Sequence, residues 1–89
     1  YMDTNEELLE FPCEFHIKAI GHTAKDLDAR VVGVVRKHIK AIYEGGVRSK
    51  PSSKGRFTSV TVIFTLESRE QLNNIYAALG AIDEVVMVL

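Results

Sequence analysis

The chain has 89 residues, 46% hydrophobic and 26% charged, with a formal net charge of −1. That suffices for one domain with one modest core. It excludes a deep cleft between lobes and a transmembrane helix, because no apolar run approaches the roughly 18 residues a span requires. The near-zero net charge conceals a separation. Asp3, Glu6, Glu7, Glu10 and Glu14 face no basic residue in their segment, and Arg48, Lys50, Lys54 and Arg56 face no acidic one. Cys13 is the single cysteine, which excludes an internal disulfide and fits a reducing, cytoplasmic compartment. The start of the chain shows no basic stretch followed by an apolar one, so no secretory signal is expected.

Residues 1–11 read as an N-terminal segment and 12–89 as one domain. Thr4 with Glu7 three residues on resembles a capping box for a short helical turn from Asn5 to Glu10, which Pro12 stops. Alternation begins at Cys13. Cys13, Phe15, Ile17 and Ala19 fall on one side and Glu14, His16 and Lys18 on the other, which predicts a first strand ended by Gly21. Thr23 followed by Asp26 opens a helix whose Leu27, Val31, Val34, Val35, His38 and Ile42 keep a three-to-four spacing until Gly45-Gly46 stops it. A helical Gly33 costs about 1 kcal/mol relative to alanine, so a close approach of its backbone to the sheet or the other helix is expected.

The stretch from Lys50 to Leu66 holds a basic turn and the clearest strand. Val60, Val62, Phe64 and Leu66 alternate with Ser59, Thr61, Ile63 and Thr65, and Pro51, Ser52, Ser53 and Gly55 are turn formers. Gly46 to Lys50 forms the other arm of this hairpin, with Pro51 confining it to an edge or a strand end. Ser68 with Gln71 makes a second capping box, Leu72, Ile75, Tyr76 and Leu79 form an apolar face, and Gly80 closes the helix. Ile82 to Leu89 reads as a last strand.

The order β, α, β, β, α, β specifies an α+β, ferredoxin-like domain: a four-stranded antiparallel sheet of order 4-1-3-2 with two helices on one face. The second face is then open, and the last strand is apolar on both sides. His16, Ile63, Val85, Met87 and Leu89 are the residues expected to meet a protein partner or a second copy, through the open face or the last strand.

Arg48, Lys50, Lys54 and Arg56 surround Ser52, Ser53 and Gly55. Such a turn offers backbone N–H groups and positive charge to a small anionic ligand, and a solvated hairpin tip is the plainer reading. The phosphate-binding loop pattern is not matched, since its second glycine, lysine and hydroxyl are not in sequence. Cys13 and His16 point to opposite faces of one strand, so no metal site and no other cofactor is expected. No nucleophile, base and orienting group converge, so no catalytic residue is assigned.

RNA-binding domains of the same fold class stack bases on aromatic residues of the two central strands. Here the outward positions are Ser59, Thr61 and Ile63 on one strand and Glu14, His16 and Lys18 on the other, with Phe57 alone suited to stacking. Nucleic-acid binding through the basic hairpin at 48–56 is therefore the alternative reading. Val32-Gly33-Val34-Val35-Arg36 is similar to the acylphosphatase signature, but its arginine falls inside a helix instead of a loop.

Leu8-Leu9-Glu10-Phe11-Pro12, Lys50-Pro51-Ser52-Ser53-Lys54-Gly55 with Ser59-Val60, and Leu79-Gly80 with Ile82-Asp83 and Val86-Met87-Val88-Leu89 together resemble the YbeD-like family of small bacterial domains of unknown function. The resemblance implies the same ferredoxin-like fold, similar to ACT-type regulatory domains that bind amino acids, and a bacterial cytoplasmic setting. Some members of that family carry a lipoate-related regulatory label. Gly21-His22-Thr23-Ala24-Lys25 departs from the acidic, proline and glycine turn of ACT domains. The expected function is a non-catalytic regulatory or adaptor module that binds a small anion or a protein.

Overall fold

The computed structural model describes residues 10–89. The helical turn expected from Asn5 onward lies outside the described residues except for Glu10. The elements are β1 (Cys13–His22), α1 (Leu27–Arg36), β2 (Ile42–Pro51), β3 (Phe57–Leu66), α2 (Arg69–Gly80) and β4 (Val85–Val88). The four strands are antiparallel in the order β2-β3-β1-β4, the expected order read from the opposite edge. Among the described residues no helix is long and apolar enough to cross a membrane.

Strand parity decides which side chains reach the core. Register pairs Ile17 with Val62, Ala19 with Val60, Phe15 with Phe64 and Cys13 with Leu66, and all eight point toward the helices. Leu27, Val31 and Val35 of α1 and Leu72, Ile75 and Leu79 of α2 meet them there, fully or almost fully buried. Each such aliphatic or aromatic side chain contributes about 1.5–3 kcal/mol on burial, so this single layer between helices and sheet holds the fold. Phe64 lies at its centre, its ring tilted 59° to that of Phe15 at 6.1 Å.

The start of α2 is fixed as the capping box predicts. Ser68 Oγ accepts the N–H of Gln71 at 3.1 Å. The amide of Gln71 does more than close the box: its Oε1 accepts the N–H of Glu67 at 2.7 Å and its Nε2 donates to the carbonyl of His38 at 2.7 Å. One side chain thus ties α2 to the link between α1 and β2.

Five local expectations are corrected. The first helix ends at Arg36 and does not run on to Ile42; the N–H groups of Lys37 and His38 close its last turn on Val34 and Val35. Ile42 pairs with Phe64 at the start of β2, because a strand residue facing the core satisfies the same apolar spacing and a β-branched side chain suits a sheet. Gly45-Gly46 accordingly does not stop a helix but forms a bulge within β2, where the register shifts between Ile42 and Val47. Gly45 has a φ of +69°, and a Cβ on Gly46 would stand 2.7 Å from the Tyr43 carbonyl oxygen and 2.9 Å from that of Ile63.

Thr23 does not cap α1. Its hydroxyl is hydrogen bonded to that of Thr58 at 2.8 Å, and Asp26 occupies the cap position without a side-chain bond. Gly33 is exposed, with no atom within 4 Å of where a Cβ would sit, so no close approach accounts for it. The last strand is shorter than Ile82 to Leu89. Ile82 folds into the core at 7% exposure, and its N–H still bonds to Leu79. Pairing with β1 begins at Val85 and extends past the strand, where Lys18 and Leu89 exchange both backbone bonds.

Candidate binding surface

The parity that fills the core also composes the opposite, helix-free face. Pairing aligns its side chains in rows across the strands. One row runs Lys50, Ser59, Ile20, Met87 and the next Arg48, Thr61, Lys18, Leu89. Each row therefore carries a cation on β2, a hydroxyl on β3 and an exposed apolar side chain at the β4 side, where Met87 is 51% and Leu89 57% exposed. At the hairpin end His22 stacks on Phe57, ring centroids 5.0 Å apart and tilted by 33°. At the other end His16 lies beside Ile63 and pairs with Glu14 at 2.7 Å, while Thr65 donates to the Tyr43 hydroxyl at 3.2 Å.

The turn between β2 and β3 is closed by its own backbone. Ser52 N–H donates to Phe57 at 2.7 Å and Gly55 N–H to Ser52 at 2.9 Å, with Gly55 at a φ of +72°. Those two N–H groups are committed and do not face an anion. Ser52 Oγ also accepts the N–H of Phe57 at 3.3 Å. A shallow hollow of about 290 Å³ lies on the sheet beside this turn, lined by Lys18, Ile20, Lys50, Ser52, Phe57 and Ser59 among others.

The structure thus divides the residues expected at the anion site. Lys50 and Ser52 line the hollow and Arg48 stands in the neighbouring row, whereas Ser53, Lys54, Gly55 and Arg56 lie at the exposed tip. Lys18, Ile20 and Ser59 join the site from β1 and β3. The alternation of β1 places Lys18 outward, but only the register puts it in one row with Arg48, across Thr61, and on the hollow that Lys50 also lines.

Of the expected partner residues, His16, Ile63, Met87 and Leu89 fall on the open face. Val85 does not. It pairs opposite Gly21 and packs half-buried against the core, because the register slip at Ile20/Gly21 leaves Val86 as the extra, 54% exposed residue. Among the described residues Lys18, Arg48 and Lys50 make no ion pair, while Arg30 is bonded to Glu84 and Lys40 to Glu67. A hydrogen bond that it accepts from its own backbone N–H and another from the Arg30 guanidinium hold the Glu84 carboxyl below its ordinary pKa.

Sheet order, helix placement and the open face define an ACT-like, ferredoxin-like domain. The ACT domain of GTP pyrophosphokinase from Chlorobium tepidum superposes with a TM-score of 0.69 at 14% identity, over 88% of this chain and 96% of that one. Protein HP0495 from H. pylori superposes over 100% of this chain and 93% of its own, with a TM-score of 0.77 at 18% identity. At the sequence level, residues 6–89 match the family described as "Protein of unknown function (DUF493)", and the chain belongs to that family. A UPF0250 protein of Shewanella woodyi is 44% identical over 99% of both chains, and one of Vibrio cholerae is 44% identical over 94% of this chain and 89% of its own.

Proposed function

We propose that this chain is a non-catalytic binding module, regulatory or adaptor in role, that recognises an anionic partner on the open face of its sheet in the cytoplasm. One observation carries the reading: Lys18, Arg48 and Lys50 share one face with exposed apolar side chains and are not neutralised by any described carboxylate. Exposed charges pair readily when an acid is near, so three left unpaired on one sheet face leave a local field for an anion. The fold likeness to an ACT domain supports a role in binding over one in chemistry. Nucleic acid ranks second, because Phe57 is the aromatic side chain at this end of the face and its ring is already stacked on His22.

Thermal melts with inorganic phosphate, citrate, a nucleoside triphosphate and poly-glutamate test the reading. A probe at a hundredfold excess over its Kd adds about 2.7 kcal/mol of stability. The expected result is a raised Tm with at least one of them, abolished in the Lys18→Glu/Lys50→Glu variant. No shift with any probe refutes the proposal.

A further inference from the structure

Resting on that reading, we infer that the partner is an acidic amphipathic helix lying along the strands of the open face. The face has two parallel bands. Arg48 and Lys50 form a cationic one along β2, and Met87 and Leu89 form an apolar one at β4, with Ile20 and the stem of Lys18 between them. Three strand spacings separate the bands, about 14 Å at 4.7–4.9 Å each. An extended peptide about 5 Å wide covers one band and leaves the other bare. A helix about 10–12 Å across, with its apolar stripe over Ile20, Met87 and Leu89, carries acids on one flank to Arg48 and Lys50.

Spacing along the bands agrees. Two residues apart on one strand, the cations repeat at about 6.8 Å, and carboxylates at i and i+4 of a helix repeat at about 5–6 Å. A second copy of the chain does not complement this face. Glu14 is the carboxylate that the strand pairings place on it, and Glu14 is engaged by His16, so two open faces would set cations against cations or against the apolar band.

The test is fluorescence anisotropy and amide chemical-shift mapping with a labelled 18-residue synthetic peptide. It carries leucines at helical spacing and glutamates along one flank. A permuted peptide of the same composition and poly-glutamate of equal length serve as controls. The expected result is saturable binding at least tenfold tighter than for either control, weakened tenfold or more by Arg48→Glu/Lys50→Glu and by Met87→Lys. Shifts should centre on Ile20, Lys18 and Met87. All three substituted side chains are exposed, so unchanged circular dichroism and Tm certify that the variants fold. Equal affinity for the permuted peptide or poly-glutamate overturns the helix while leaving an anion-binding face. Binding of no anion at all sinks both readings. A dimer in light scattering whose open face is protected from exchange identifies a second copy and overturns the proposal.

Discussion

The same substitution, glycine to alanine, is expected to act in opposite directions at two sites. At Gly33 the new methyl meets nothing within 4 Å, and the residue lies inside α1 on its exposed side. Alanine then gains only its helical preference, about 0.8–1.0 kcal/mol. At Gly21 the methyl would stand 2.6 Å from the Glu84 carbonyl oxygen and 3.2 Å from the Val85 Cα. Those atoms are backbone, with no flexible tip to yield, so β1 and β4 must part. Parting weakens the bond from His22 N–H to Glu84, now 2.8 Å, and lifts the half-buried Val85 from the core. One or two backbone bonds at about 0.5–1.5 kcal/mol each, plus part of a valine side chain's burial, give a loss of about 2–4 kcal/mol. For a domain of this size each kcal/mol moves Tm by about 4–8 °C. Thermal and urea unfolding followed by far-ultraviolet circular dichroism should therefore show Gly33→Ala above wild type and Gly21→Ala well below it. A Gly21→Ala protein that melts with wild type, or a Gly33→Ala protein that melts below it, would refute the reasoning.

Phe64→Ala removes the largest fully buried ring and should cost about 3–5 kcal/mol, read as a lower urea midpoint at unchanged slope. Gln71→Ala leaves the Glu67 N–H and the His38 carbonyl without their bonds; a loss of about 1–3 kcal/mol is expected, and a variant as stable as wild type would show the links to be idle. Glu84 has a folded pKa depressed below its ordinary 4.5, so its contribution is present above that pH and is lost as pH falls through the folded value. The stability gap between wild type and Glu84→Gln should accordingly narrow below pH 4.5, and a gap constant from pH 7 to pH 3 would contradict the assignment.

The sheet order and the placement of the helices were legible because β1 and β3 alternate strictly and α2 carries both its cap and its stripe. The end of α1 was not. His38 and Ile42 keep the helical spacing, and a strand turning its side chains to the same core satisfies it equally well. Gly45-Gly46 reads as a helix stop for the same reason: a positive φ is what a helix terminus and a bulge both require. On the binding surface, Arg48, Lys50 and Ser52 were visible as a cluster near a turn. Their neighbours Lys18 and Ile20 lie about 30 residues upstream and are joined to them only by register. Strict alternation puts Val85 on the open face, and one inserted residue, Val86, turns it to the core instead.

The irregularity at Gly45 and Gly46 has a consequence for how copies of this protein can meet. A bent, charged rim ending in Pro51 offers no straight row of donors and acceptors to a newcomer, and the far margin is only four residues long and slips in register at Val86. Open-ended polymerisation needs two hospitable margins on every molecule. With both margins short or bent, this sheet offers no ready template for adding strands.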